Sequence, residues 1–319
     1  MKKLLAVLLS LALLFTFTGC GKSGGKTDDE ETIFRVAISG DYGSLNPFLA
    51  ESSVVYDFLN LCYDSLIAYD KDFKAVPRLA ETWDVSDDGL VWTFHLQKDA
   101  VFSDGEPVTS ADVKWTYENI GESYMYSLYS GGIESIECPD DYTVVFNCEA
   151  PKYDMLYQII PIMPEHVWSN VDDILSYETD TWVGSGPFIY DASRSAAGNV
   201  AFVRNDKYWG QKPYVDVLVF TPYDNQDAMG QAMKLGEVDA CYDLDRSQYD
   251  LLKDDPSVYV ELYEIFGLEH LAYNLQNEVT ADKAVRYAVD YCFDRELAVE
   301  MGYGGLGEAG YGIVNNPGH

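Results

Sequence analysis

The stretch ETWDVSDDGLVWTFHL, residues 81–96, constrains the fold of this 319-residue chain more than any other segment. Apolar and polar residues alternate on both sides of Asp87-Asp88-Gly89, which is the pattern of two strands joined by a tight turn. Gly89 can supply the positive φ that such a turn needs. The pattern therefore predicts an antiparallel hairpin with one buried face.

Other segments mix further hairpins with strand–helix units. Residues 33–39 alternate and predict a strand, and residues 131–151 predict a second hairpin. Residues 53–66 show helical spacing, with Ser52 or Ser53 as the N-cap, and Thr109 with Asp112 predicts a capping box. Further predicted elements are a strand at residues 269–276 and an amphipathic helix at residues 281–301. This order of elements predicts an α/β fold with mixed sheets.

The first twenty residues have the pattern of a secretion signal. Lys2 and Lys3 precede an uncharged run at residues 4–17, which is too short to span a bilayer as a helix. The small pair before Cys20 resembles the lipobox of bacterial lipoproteins, although Phe17 stands where Leu is usual. We predict a signal peptide at 1–20, lipidation of Cys20, and location outside the cytoplasm at the cell membrane. An ordinary secreted protein with an incidental cysteine is the alternative.

Composition limits the partners and the kinds of site that this chain can have. Residues 21–32 lack apolar side chains and predict a flexible tether. The formal net charge of −32 argues against a nucleic-acid partner, because phosphate binding needs a basic face. The five cysteines after Cys20 show no C-x-x-C pair and no His/Cys cluster. We therefore predict free thiols, no bound metal and no cofactor.

Several motifs together resemble the family 5 extracellular solute-binding proteins, which include oligopeptide-, dipeptide- and nickel-binding proteins of ABC importers. The motifs are LNPF (45–48), the segment 79–113, GSGPFIY (184–190), RNDKYWGQKPYVDVLVF (204–220), GEVDA (236–240) and the segment 273–296. They occur in the order that the family has. Most of them also have a plain structural explanation as turns and packed strand faces.

The resemblance implies a type II, cluster C periplasmic-binding-protein fold with two lobes and an inserted domain. Domain I would comprise 33–60 and 183–271, domain II would be the insertion 61–182, and domain III would begin at 272 and run to 319. Members of the family are longer, so the resemblance also implies that domain III is incomplete and that the chain is a fragment. A monomer that docks on permease subunits is expected.

The resemblance also implies ligand contacts on both lobes. In the family, the loop after the first strand lines the ligand, and a tyrosine of the inserted domain lies near it. The strand entering the second lobe faces the cleft. The corresponding candidates in this chain are Leu49, Ala50, Glu51, Ser52, Ser53, Tyr124, Tyr126, Tyr273 and Asn274. A plain capped loop and a core aromatic patch are the alternatives for the first two groups.

The implied function is capture of peptides by hinge closure and delivery to an importer. The 25 Tyr and 6 Trp suit a wet cleft for peptide or for oligosaccharide, so both ligands stay open. A nickel carrier is disfavoured by the four scattered His. The rival class is an exported hydrolase such as a glycosidase, but G-x-S-x-G and H-E-x-x-H motifs are absent. We therefore expect a binding protein and no enzyme.

Overall fold

The computed structural model describes residues 31–40, 42–123, 126–178, 181–196, 198–263 and 267–311. The chain divides into two compact units, 1–32 and 33–319. The first unit contributes only residues 31 and 32 to the described part, so every described helix and strand belongs to the second unit.

The second unit mixes strands and helices along its whole length. The strands are β1 Ile33–Ser39, β2 Ile67–Tyr69, β3 Ala75–Pro77, β4 Ala80–Val85, β5 Val91–Leu96, β6 Ile133–Asp140, β7 Thr143–Cys148, β8 Phe188–Tyr190, β9 Val200–Arg204, β10 Val217–Tyr223 and β11 Ala240–Cys241. The helices are α1 Ser53–Cys62, α2 Ser110–Asn119, α3 Glu165–Trp168, α4 Gln226–Leu235, α5 Arg246–Leu252, α6 Glu278–Ala281, α7 Lys283–Cys292 and α8 Arg295–Tyr303. Short 3₁₀ turns lie at 120–122, 127–129 and 153–157.

A five-stranded mixed sheet has the order β11-β1-β10-β9-β8. β1 lies in its interior and pairs in parallel with β10 and β11, whereas β9 runs antiparallel to both of its neighbours. Val36, Ala37 and Ile38 are buried because helices cover both faces of this sheet, as parallel strands require. α4 packs on one face, where Met229 and Ala232 contact Ala37 in a small core cluster.

A four-stranded antiparallel sheet has the order β4-β5-β7-β6 and contains both predicted hairpins. Gly89 turns the first hairpin with φ 71°, as its sequence position predicts. Side chains alternate in burial along β5 and β7, so one face of each strand packs into the core. The predicted capping box of α2 is present, with the Asp112 carboxylate accepting the Thr109 N–H at 2.7 Å.

Most buried side chains of both sheets belong to one continuous hydrophobic cluster. Phe58 of α1 lies at its centre, with its ring centroid 5.0 Å from that of Phe202 and 4.8 Å from that of Phe220. Aromatic pairs at these distances contribute beyond their buried area. The packing confirms the predicted α/β class with mixed sheets and holds α1 firmly against the larger sheet.

Two sequence expectations for the last part of the chain are wrong. No strand forms within 267–276, because no neighbouring strand supplies the ladder hydrogen bonds. The helix predicted at 281–301 is two helices, α7 and α8. Helix α7 ends before Phe293, and a new helix starts after Asp294. The Asp294 carboxylate caps α8 by accepting the Leu297 N–H at 3.0 Å. Leu252 is the last buried residue in the described part of the chain.

Candidate functional site

The loop after β1 leads into α1, and Ser52 fixes the start of that helix. Its hydroxyl accepts the Val55 N–H at 3.3 Å and donates to the Tyr42 carbonyl at 2.9 Å. The cap satisfies one of the amides that a helix N-terminus leaves unpaired. The second bond ties the helix to the loop itself, so Ser52, one of the two serines that the sequence offers, is the N-cap.

The GSGPF turn holds the other end of α1. The Gly186 N–H donates to the Cys62 carbonyl at 2.8 Å, and the Ser185 hydroxyl accepts the Asp64 N–H at 2.9 Å. A Cβ atom on Gly184 would lie 2.0 Å from the same Cys62 oxygen. The glycines of this motif are therefore required by the close approach of two backbones.

A buried ion pair follows directly after this contact. The side chain of Asp64 is 1% exposed and accepts from Arg78 at 2.6 Å and from the Trp209 Nε1–H at 2.9 Å. Burial raises the pKa of Asp64, although the Arg78 guanidinium opposes that rise. These bonds join the chain just after α1 to Arg78, which directly follows β3, and to Trp209, which precedes β10.

The outward face of α1 carries polar side chains at helical spacing. Val55, Phe58 and Leu59 are buried on the core side. Tyr56 and Asp57 project from the opposite side and meet residues from two other segments. We define the tyrosine–carboxylate cluster by its members: Tyr56, Asp57, Tyr126, Tyr129 and Tyr242.

Short distances connect the members of this cluster. The ring centroid of Tyr126 lies 6.1 Å from that of Tyr56 and 6.5 Å from that of Tyr129. The Tyr242 hydroxyl donates to the Asp57 carboxylate at 3.1 Å. Residues distant in sequence thus meet at two adjacent positions of α1: aromatic rings gather at Tyr56, and a hydroxyl group reaches the carboxylate of Asp57.

Burial and neighbouring carboxylates set the protonation states of this cluster. Partial desolvation raises the pKa of Asp57, the hydrogen bond from Tyr242 opposes that rise, and the Asp243 carboxylate adds to it. Desolvation also raises the pKa values of Tyr56, Tyr126 and Tyr242 above their ordinary range. These three tyrosines therefore stay neutral at physiological pH and can both donate and accept hydrogen bonds.

The predicted loop residues differ widely in exposure. Leu49 is 40% exposed, and Glu51 and Ser53 are also exposed. Ala50 is fully buried, so its side chain packs in the core and only its backbone could face a ligand. Ser52 is engaged in the cap described above. The loop therefore offers an exposed edge at residues 49, 51 and 53.

The predicted aromatic contacts fall partly outside the described residues. Tyr124 lies outside them, as does the lipidation candidate Cys20. Tyr126 is only 1% exposed and packs between Tyr56 and Tyr129. Its hydroxyl group is buried without a hydrogen-bond partner among the described residues.

Tyr273 and Asn274 lie in irregular chain rather than on a strand. Tyr273 is half-buried and Asn274 is exposed. The Asn274 side-chain oxygen accepts the Gln276 N–H at 2.9 Å, and the Asn274 backbone carbonyl accepts the Thr280 hydroxyl at 2.5 Å. These contacts form a local turn that leads into α6, and the described contacts do not join this turn to the loop after β1.

Sequence patterns did not identify Tyr56, Asp57 or Tyr242 as site residues. A signal for the first two exists, because they interrupt the apolar spacing of α1 on its polar face. Tyr242 carries no such signal, since its contact with Asp57 spans 185 residues. Only the pairing of β11 with β1 brings it to α1.

The cysteines after Cys20 are unpaired, as predicted. Cys62 and Cys148 are buried, Cys138 and Cys241 are half-buried, and Cys292 is exposed. Within the described ranges, no three His, Cys, Asp or Glu side chains are grouped as metal ligands would be. Within the same ranges, no helix has the length and apolarity needed to cross a membrane.

Comparisons with known proteins agree with this architecture. The chain is 29% identical to protein XP55 of Streptomyces lividans over 302 residues, which covers 92% of this chain and 54% of the relative. It is 28% identical to a protein of Brucella ovis named as an ABC transporter peptide-binding protein, with coverage of 85% and 53%. The chain thus spans about half the length of these relatives.

A solved structure shares the fold. The binding protein AgaA of A. tumefaciens, in complex with agropinic acid, has a TM-score of 0.73 and 26% identity, and the match covers 90% of this chain and 59% of that one. The family model of bacterial extracellular solute-binding proteins, family 5 Middle, matches residues 74–318. The chain therefore belongs to the family 5 extracellular solute-binding proteins.

Proposed function

We propose that this protein is the substrate-binding lipoprotein of an ABC importer. It captures peptides by hinge closure between two lobes and delivers them to permease subunits. The observation that carries the proposal is family membership over residues 74–318, together with similarity to a relative named as a peptide-binding protein. It acts as a binding protein, without turnover of its ligand.

The N-terminal pattern supports attachment to a membrane. Residues 1–20 act as the signal, Cys20 carries the lipid, and residues 21–32 form the tether. The acidic body then works outside the cytoplasm beside its permease, as a monomer. Radiolabelled palmitate should enter the protein in cells and should be lost in the variant Cys20→Ser.

The domain boundaries and ligand contacts belong to the same proposal. Domain I comprises 33–60 and 183–271, domain II comprises 61–182, and domain III begins at 272. The contacts are Leu49–Ser53, Tyr124 and Tyr126 on the first side and Tyr273 and Asn274 on the second. The exposed edge at residues 49, 51 and 53 supports the loop contacts, since a bound peptide could reach the backbone of this loop.

Other solutes are the alternative within the family. The aromatic rings on the outward face of α1 would also suit an oligosaccharide. The match to AgaA, whose structure holds agropinic acid, adds small organic acids to the candidates. A ligand screen must therefore include sugars and organic acids beside peptides.

A thermal-shift screen tests the proposed function. The full chain, purified in mild detergent, is heated with random tripeptides, oligosaccharides and organic acids. Peptides at one hundred times their Kd should stabilise the folded state by about 2.7 kcal/mol and raise the Tm. Sugars and acids should leave the Tm unchanged.

Variants add a control to this screen. Asn274→Ala should weaken the response to peptides, whereas Asn170→Ala, at an exposed site in the predicted inserted domain, should leave it intact. A response to oligosaccharides alone would overturn the peptide assignment. Cleavage of any ligand, followed by mass spectrometry, would overturn the assignment as a binding protein.

A further inference from the structure

The hydroxyl group of Tyr126 is buried in the interior of the protein. It lies in a side chain that is 1% exposed, and it has no hydrogen-bond partner in the described part of the chain. Buried polar groups in folded proteins are nearly always paired, because an unpaired one loses its bond to water without replacement. A group that enters from outside and bonds to this hydroxyl would remove that cost.

The surroundings of Tyr126 define the chemistry of such a group. The rings of Tyr56 and Tyr129 flank it, and both are half-buried, so they form the solvent-facing side of the tyrosine–carboxylate cluster. Asp57 is the next residue after Tyr56 and is exposed. A ligand group that bonds to Tyr126 would therefore lie beside two aromatic rings, with a carboxylate on the residue that follows Tyr56.

Two carboxylates, those of Asp57 and Asp243, lie close enough to act on one another. Tyr242 donates to Asp57, and Tyr263 donates to Asp243 at 3.2 Å, which brings a second carboxylate to the same edge. Within the described ranges, neither carboxylate has a Lys or Arg partner at ion-pair distance. Two uncompensated carboxylates beside tyrosine rings attract a cation and repel an anion.

We propose that the tyrosine–carboxylate cluster, with Asp243, binds the guanidinium or ammonium group of a basic side chain in the captured peptide. The cation donates N–H bonds to the Asp57 carboxylate and to the Tyr126 hydroxyl oxygen, and it stacks on the rings of Tyr56 and Tyr129. This inference rests on the proposed peptide function and adds a substrate class to it. Peptides with Arg or Lys are the preferred ligands.

A pair of nearly isosteric peptides tests the proposal. Calorimetric titration of the full chain in mild detergent compares Ala-Arg-Ala with Ala-citrulline-Ala, which has the same shape without the charge. The arginine peptide should bind at least about tenfold more tightly, as expected for a charge-assisted contact. Ala-Glu-Ala should bind more weakly than both.

Variants identify the residues responsible. Asp57→Asn should bring the arginine-to-citrulline affinity ratio close to one, and Tyr126→Phe should weaken binding of the arginine peptide. Asp87→Asn, which removes the same charge from an exposed hairpin turn, should leave the ratio unchanged. Circular dichroism spectra confirm that each variant is folded.

The outcomes separate this inference from the proposed function. A ratio near one in the unaltered chain, or a preference that survives Asp57→Asn, overturns the cation site while peptide binding stands. Binding of neither tripeptide overturns the cation site as well. In that case the thermal-shift screen tests the proposed function. If no peptide raised the Tm, the proposed function would be overturned too.

Discussion

Replacing Gly184 with alanine should lower the free energy of unfolding by about 3 kcal/mol, the upper end of the range for overpacked sites. The added Cβ would lie 2.0 Å from the Cys62 carbonyl oxygen and 2.9 Å from its carbon. Both are backbone atoms at the end of α1, so no side-chain rotation relieves the clash. Urea unfolding followed by tryptophan fluorescence measures the loss.

A second glycine provides the matched control. Gly302 lies within α8, and no heavy atom lies within 4 Å of the Cβ that alanine would add. Gly302→Ala should leave the unfolding free energy unchanged or raise it by up to about 1 kcal/mol, since alanine favours a helix. If Gly184→Ala unfolded at the urea midpoint of the unaltered chain, the close approach would not be a constraint.

Replacing Arg78 with methionine should cost about 3–5 kcal/mol at pH 7, because it leaves the buried Asp64 without its cation. Among the described residues, Trp209 would then be the one side-chain donor left to that carboxylate. Chemical unfolding at several pH values measures the effect. The same methods apply to Arg35→Met as the control.

The control removes an exposed ion pair. Arg35 and Asp239 are 3.7 Å apart, and their side chains are 49% and 42% exposed. Such pairs contribute about 1 kcal/mol at most, so Arg35→Met should change stability by no more than that. Equal losses in the two variants would contradict a special role for the buried pair.

The Arg78→Met loss should also depend on pH. Burial already raises the pKa of Asp64 above its usual 3.8, and loss of Arg78 removes the charge that opposes this rise. A raised carboxyl pKa means that the folded state holds the proton more tightly, so stability is lost as pH rises through the raised pKa. The difference between variant and unaltered chain should therefore shrink as pH falls from 7 towards 4.

Local patterns predicted much of the framework. The hairpin at Gly89, the capping box at Thr109 and the N-cap at Ser52 follow from short-range rules and are present. The strand predicted at residues 269–276 is absent, since a strand needs a partner and alternation cannot supply one. Short-range rules therefore succeed where the stabilising contacts are themselves short-range.

The candidate site was predicted less completely. Tyr126 was identified through the family resemblance, and the structure adds that its hydroxyl is buried and unpaired among the described residues. Asp57 and Tyr242 were not identified, because their contact depends on the pairing of β1 with β11. The predicted contacts on both lobes remain predictions.

The sequence by itself determined the class of fold and the family, because turns, caps and motif order are encoded in neighbouring residues. Only the tertiary structure shows that the GSGPF glycines allow two backbones to approach closely, and which side chains meet on α1. It also showed that Asp64 is buried against Arg78. These features depend on contacts between residues far apart in the chain, and such contacts exist only once the sheets and helices have packed together.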